Sequence, residues 1–321
     1  MEKRNNWKAW LYLAPALILM AVFTFYPLIN TIIVSFIKDY NSAYGFNEVV
    51  GTKTVNTGFT FNNYGVVLGI TPRNPTADGI GVLDKTFLSF TGPSALGNTF
   101  LIVLVTVPIS VIIALIISLA INSIPALKKF FQTVFFMPYV TNVIAVGMVF
   151  SIIFAQNGVF NKIFGLSTNW ANVGASYWNC MLILFVYIIW NALPYKILIF
   201  LSGLQNIDKQ YYDAAKIDSA SPVKVARKIT IPLLSPQILY ITITSFISAF
   251  KEYNSIIGLF NRNYTSDGNL PDLYTVVYYI YDKLNASSQT EYASAAAVVL
   301  FIIILLITLL QMKVSKKRVH Y

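Results

Sequence analysis

Six stretches of this chain are each long and apolar enough to cross a lipid bilayer, and that property limits the fold more than any other. From Ala9 to Ile37 there is no charged residue. Further apolar runs follow at Gly97–Ile121, Phe130–Phe154, Tyr177–Leu204, Leu233–Gly258 and Tyr292–Met312. Each meets the roughly 20 residues that a helix needs to span the hydrocarbon core. Inside lipid no water satisfies backbone N–H and C=O groups, so each segment must close its own hydrogen bonds and form a helix. Composition agrees: 56% of the residues are hydrophobic and 11% charged, against about 45–50% and about 25% in soluble domains. The expected fold class is an all-α membrane protein with six transmembrane helices. Pro108, Pro138 and Pro194 fall inside three of the runs, where packed neighbours must satisfy the carbonyls they free. The first run exceeds the about 7–15 apolar residues of a signal-peptide core. It reads as an uncleaved first transmembrane helix behind a short basic tail, together spanning 1–37.

The polar stretch 38–96 is rich in Gly and Asn and carries Pro72, Pro75 and Pro93. It is too long for a turn and is expected to form an extracellular loop or small cap. Thr54–Phe61 and Tyr64–Leu68 signal short strands or a helix there. Charge then sets the orientation. With the N-terminus cytoplasmic, segments 1–8, 122–129, 205–228 and 313–321 lie inside and hold fourteen Lys/Arg against four acids. The outer segments, with Lys251 and Glu252 at the outer part of the fifth run counted among them, hold eight against nine. This is the positive-inside pattern, and it places both termini in the cytoplasm. The formal net charge of +10 is therefore a topology signal and not a nucleic-acid footprint. Cys180 is the single cysteine, which excludes an intramolecular disulfide and a cysteine-rich metal site. The single histidine, His320, lies in the basic tail 313–321, so no histidine dyad forms within one chain. Neither a G-x-x-x-x-G-K-[ST] phosphate loop nor HExxH occurs. No metal site is expected, and no cofactor on this chain.

Between the fourth and fifth runs lies the most charged stretch, Gln205 to Lys228, with five basic residues and three acids. Held between two membrane-length segments, it must lie at or beyond the membrane surface. Asp208 suits the N-cap of a helix over Ile207–Lys216, and the paired Ala214 and Ala215 leave a smooth surface for close packing. Ser221-Pro222 reads as an N-cap followed by proline at the first helical position. A second helix then runs to Ile229, with Arg227 and Lys228 suited to its C-terminus. Pro232 marks the bend into the fifth run. The expectation is a helix–turn–helix lying along the membrane. Its alternative is an amphipathic interfacial loop with no partner.

The run Tyr212-Asp213-Ala214-Ala215-Lys216-Ile217-Asp218-Ser219-Ala220, with Ile231-Pro232-Leu233-Leu234 about a dozen residues on, resembles the EAA loop of permease subunits of binding-protein-dependent ABC importers. Tyr12-Leu13-Ala14-Pro15-Ala16, Tyr26-Pro27 and the closing Tyr292–Phe301 look like the carbohydrate branch of that family, the maltose and glycerol-3-phosphate type. Asp213 stands where the family has Glu, and Ser219 where it has Gly. The usual Gly-Gly-Gly-Pro run is absent, with Asn261–Pro271 in its place. The resemblance implies a five-helix permease core over 97–312, with a coupling loop at 205–232. It assigns the ATPase contact to Tyr212, Asp213, Ala214, Ala215, Asp218, Ser219 and Pro232. It also implies a second permease subunit of a different chain, two cytoplasmic ATPases that bind ATP-Mg, an extracellular solute-binding protein and a multi-pass place in a bacterial cell membrane.

The solute path is read from polar groups inside the runs. Lys196 is the charge well inside the fourth run, beside Asn191 and Tyr195, and Glu252, Tyr253 and Asn254 sit toward the outer part of the fifth. Ionisable groups at such depth face a cavity or a partner, because lipid exposure costs about 2.5–3.5 kcal/mol on insertion scales. Aromatic and amide groups suit a sugar or oligosaccharide. An importer for glycerol-3-phosphate or another small polar solute would want a cluster of cations, where the sequence offers Lys196 and Lys251. A membrane enzyme acting on lipid or cell-wall precursors would need paired acids or metal ligands at one depth, and none stands out.

Overall fold

The computed structural model describes residues 6–38, 40, 47–50, 53–56, 58–72, 84, 86–89, 93–124, 128–172, 174–260, 273–285 and 289–315. Asn261–Pro271, Pro75 and His320, singled out above, lie outside them. The described residues fall into two compact units, one within Met1–Leu88 and Tyr279–Ile302, the other within Ser89–Tyr278 and Ile303–Tyr321.

In the first unit α1 (Asn6–Met20) passes through a π-helical turn, Ala21–Phe25, into α2 (Tyr26–Ser35). The cause of the turn is Pro27: its ring would strike the carbonyl four residues back. The ladder widens instead, and Tyr26 N–H reaches Ala21 O, five residues away. Only the last turn of this helix is buried, at Val34 and Ser35. There Ser35 Oγ pairs with Tyr64 Oη at 2.6 Å. Asn63 Nδ2 donates to Ser35 O and Ile37 O at 3.0 and 2.8 Å, which docks α3 (Asn62–Val67) onto the helix end. β1 (Asn47–Val50) and β2 (Lys53–Asn56) form an antiparallel hairpin with Asn47 opposite Asn56. It begins earlier than the strand signal at Thr54–Phe61.

In the second unit α4 (Ala95–Asn122) starts at Ser94, whose Oγ accepts from Gly97 N at 3.2 Å. α5 (Lys128–Phe136) continues as a 3₁₀ segment, Met137–Val140, and α6 (Val143–Ile153) leaves it at 97°. The run Phe130–Phe154, expected as one span, is thus broken. Pro138 interrupts the ladder, and Asn142 Oδ1 begins a new helix by accepting from Ile144 N and Ala145 N at 2.9 and 3.2 Å. After α7 (Val159–Phe164) comes α8 (Tyr177–Gln205), which tolerates Pro194 within its length. α9 (Lys209–Ile217), α10 (Pro222–Val225) and α11 (Ile231–Leu233) form the charged hairpin. α12 (Ser235–Phe250) leaves it at 67°, and α13 (Asn254–Phe260) follows a break at Lys251–Tyr253. α14 (Val276–Asn285) and α15 (Thr290–Ser315) follow, with Tyr279–Ile302 belonging to the first unit.

Ala114, Ile121, Ile197, Phe200, Leu201, Leu204, Leu234 and Ile241 form one buried cluster on α4, α8 and α12. Ser118 Oγ reaches Ile197 O at 3.3 Å within it. α6 and α13 approach more closely still: a Cβ on Gly147 would lie 2.8 Å from Gly258 Cα. Small residues at such crossings let helix backbones pack where lipid supplies no hydrophobic drive. Cys180 is buried on α8, as packing would have it. Among the described residues four helices are long and apolar enough to cross a membrane: Trp10–Ser35, Ala95–Asn122, Tyr177–Gln205 and Thr290–Ser315. The two bent pairs raise the number to six if each is one span.

Candidate functional site

Two constellations in the second unit collect the candidate residues. The first is the charged hairpin. Asp208 caps α9, its Oδ1 accepting from Gln210 N at 3.0 Å. At the other end Ser219 N bonds Lys216 O and Ala220 N bonds Ala215 O, both at 3.0 Å. These are the two bonds of a Schellman motif, which requires a left-handed residue just past the helix. Ser219 takes that place at φ +50°, the single non-glycine residue with positive φ among the described residues. Ser221 Oγ then accepts from Lys224 N at 3.4 Å, with Pro222 in the first turn. The α ladder of α10 ends at Val225, but the helix itself runs on through the Ile229 expected to Leu233. A second π turn, Ala226–Thr230, follows, because Pro232 demands the same widening that Pro27 does. Tyr212 Oη and Thr230 Oγ1, 3.3 Å apart, tie the two arms.

Exposure divides the candidates. Asp213, Ala214, Asp218 and Ser219 face solvent, whereas Ala215 is only 6% exposed. The two alanines therefore do not share one face. Tyr212 and Pro232 are half-buried. Asp213 bonds Lys216 at 3.1 Å with both side chains mostly exposed, a pair of about 0–1 kcal/mol that a stronger partner can replace. Two residues not among those assigned to the contact stand out: Ile217 is 85% exposed and Val223 77% exposed. The signal for them in sequence is an aliphatic side chain inside the most charged stretch of the chain.

The second constellation is a cavity of about 390 Å³ lined from α4, α8, α12 and the break before α6. Asn191, Tyr195, Lys196 and Glu252 line it; Tyr253 and Asn254 do not. Tyr253 instead stacks on Tyr278 at 5.9 Å, and Asn254 opens α13 with its side chain exposed. Lys196 does not snorkel: it is 4% exposed, and its ammonium donates to Ser110 Oγ. That hydroxyl in turn donates to Thr106 O at 2.6 Å. Glu252 Oε1 accepts from Tyr253 N and Ser255 N at 3.1 and 3.0 Å, so the carboxylate is held by the first turn of α13. Tyr195 stacks on Tyr139 at 5.8 Å and meets Tyr240 Oη at 3.0 Å. The Tyr187 hydroxyl donates to Val143 O and anchors the start of α6 beside the cavity. Thr106, Ser110, Tyr139, Thr244, Ser245 and Ser248 also line it, and nothing in the sequence marks them out. Hydroxyls inside apolar runs are ordinary, because they bond their own helix, as Thr244 Oγ1 does to Tyr240 O. Tyr177 donates to Asn98 Oδ1 at 2.7 Å, while Trp10 and Trp178 are exposed.

Residues 107–321, which take in the hairpin and all of the cavity's lining but Thr106, match the family described as binding-protein-dependent transport system inner membrane component. The probable ABC transporter permease protein MG188 of Mycoplasma genitalium is 31% identical over 209 residues. That match covers 63% of this chain and 61% of the relative, under two thirds of its length. The lactose transport system permease protein LacF of Rhizobium radiobacter is 27% identical over 327 residues, 99% of this chain and 97% of that protein. Among solved structures, a bacterial ABC transporter involved in the import of the acidic polysaccharide alginate aligns with a TM-score of 0.75 at 16% identity. It covers 98% of this chain and 96% of that one, a likeness of fold.

Proposed function

The chain belongs to the inner membrane components of binding-protein-dependent transport systems, and from that premise we propose that it is the permease subunit of an ABC importer for a sugar or oligosaccharide. In this reading the two bent pairs are spans, making six, and both termini are cytoplasmic. The chain works with a second permease subunit, two cytoplasmic ATPases and an extracellular binding protein. The membrane-enzyme alternative has no support in the family or in relatives that are permease proteins.

The observation that carries the choice of solute is the cavity. It offers one ammonium, one carboxylate, an amide, several hydroxyls and a tyrosine stack. Tyrosine faces suit the apolar faces of a sugar ring, and the polar groups suit its hydroxyls. An anionic solute would want several cations, yet among the described residues Lys196 is the only one lining the cavity, and Lys251 is exposed elsewhere. Relatives named for lactose and arabinooligosaccharides support the same choice.

The coupling surface is the exposed side of the hairpin: Asp213, Ala214, Asp218 and Ser219, extended by Ile217 and Val223. Ile217 is its anchor, since burying such a side chain contributes about 1.5–3 kcal/mol. Tyr212, Ala215 and Pro232 hold the hairpin's shape beneath it. Ala215→Arg would wreck that shape, so the clean variants are Ile217→Asp and Ala214→Arg. An ATPase should co-purify with the wild type from native membranes in mild detergent. Each variant should lose it by roughly ten- to a hundredfold. No ATPase with the wild type, or full retention in both variants, would end the reading.

A further inference from the structure

A second cavity, about 710 Å³ in volume, opens between the start of α12 and the end of α15. Pro232, Ser235, Leu239, Thr242, Leu310 and Gln311 are among its lining residues. Its size falls within the about 300–1,000 Å³ of cavities that hold small ligands. The walls are chiefly aliphatic, yet Ser235 Oγ and Gln311 Oε1 are buried there with no hydrogen-bond partner among the described residues. Buried polar groups are normally satisfied, and Gln311 Oε1 can be satisfied only by a donor, because it is an acceptor alone.

The surroundings are basic. Arg227 and Lys228 stand exposed in the π turn that leads into Ile231, another lining residue. Among the described residues neither is in an ion pair. Aliphatic walls ask for a hydrocarbon chain, two cations ask for an anion, and the unpaired amide oxygen asks for a hydroxyl or N–H. A transported sugar meets only the last of these. Basic pockets between transmembrane helices on the cytoplasmic side are where anionic lipid headgroups bind.

We infer that this cavity binds an anionic phospholipid with a hydroxyl-bearing headgroup, of the phosphatidylglycerol kind. One acyl chain lies along Leu239 and Leu310, the phosphate meets Arg227 and Lys228, and a headgroup hydroxyl donates to Gln311 Oε1. The choice of the cytoplasmic leaflet rests on the orientation given under the proposed function. The lipid would touch Pro232, where the hairpin turns into α12, so occupancy bears on the joint between coupling surface and transmembrane core.

The test is native mass spectrometry of the full chain, delipidated and titrated with phosphatidylglycerol or phosphatidylcholine of identical acyl chains. The first bound phosphatidylglycerol should appear at a concentration lower by about tenfold or more. Replacing both cations (Arg227→Gln, Lys228→Gln), each exposed, should abolish that preference with the melting temperature unchanged. Leu239→Trp, which fills the cavity, should remove the tight lipid. Equal affinity of the wild type for both lipids, or a preference that survives either variant, would overturn the assignment. A photo-crosslinking residue at position 239 in native membranes supplies the second arm. A phospholipid adduct supports the site, whereas an adduct with another polypeptide shows that a partner helix fills the groove and rejects it. Neither readout needs an ATPase or a solute, so the lipid site and the importer reading can fail separately.

Discussion

Ser219 offers the sharpest single perturbation. It sits at φ +50°, where the Cβ of an L-residue crowds the backbone at a cost of about 1–2 kcal/mol. Ser219→Gly removes that crowding and keeps both backbone bonds of the turn, Ser219 N to Lys216 O and Ala220 N to Ala215 O. Against the gain stands glycine's greater freedom when the turn is open, about 0.5–1 kcal/mol. The balance is a net stabilisation of about 0.5–1 kcal/mol, which is about a two- to fivefold drop in the population of the open turn. Hydrogen exchange of the full-length protein in bilayers reads this at the Ala220 amide, after correction for intrinsic rates. Glycine should slow it by that factor, while Ser219→Val, a β-branched residue forced to positive φ, should hasten it. Equal protection in all three proteins would mean that the turn uses ordinary angles, and the argument from handedness would fall. The measurement also bears on coupling, since a rigid turn presents Ile217 and Asp218 in one geometry.

Three further outcomes follow from the packing. Lys196→Met keeps the length of the side chain but removes a buried charge whose desolvation is costly. The melting temperature should not fall, while uptake of the solute should drop by roughly ten- to a hundredfold, the worth of about 1.5–3 kcal/mol for a hydrogen bond to a charged group. Gly147→Ala puts a Cβ 2.8 Å from Gly258 Cα, and the overpacking should destabilise the protein by about 1–3 kcal/mol in thermal unfolding. In the first unit, burial alone would raise the Asp84 carboxyl, but bonds from Thr86 and the charge of Lys283, 3.1 Å away, outweigh it and hold the group below its ordinary value of 3.8. A depressed folded value stabilises the protein above the unfolded one and is lost as pH falls through the folded one. Acid unfolding below about pH 4 should therefore be less steep in Asp84→Asn than in the wild type.

Features that depend on neighbours along the chain are legible in the residues alone. Asp208, Ser221 and Pro222 act within three residues of themselves, so their capping roles follow from residue type and spacing. The apolar runs at Gly97–Ile121, Tyr177–Leu204 and Tyr292–Met312 become α4, α8 and the middle of α15 for the same reason. Where a local rule meets a competing one, length gives the run but not its shape. Phe130–Phe154 counts as a span by length, yet Pro138 and the Asn142 cap break it.

The candidate sites divide along the same line. That Lys196 and Glu252 must avoid lipid is legible, because the cost of charge in hydrocarbon does not depend on the fold. That they line one cavity with Ser110 and Tyr139, and that Tyr253 turns away to Tyr278, requires helices distant in sequence to pack. Ala214 and Ala215 are the same residue type side by side, and only the docking of α9 distinguishes an exposed face from a buried one. Sequence by itself determined membrane residence, the helical class and the family-like loop, because hydrophobic length and capping are local. The tertiary structure alone decided which polar groups meet, because one residue's place on a helix says nothing of the helix it will face.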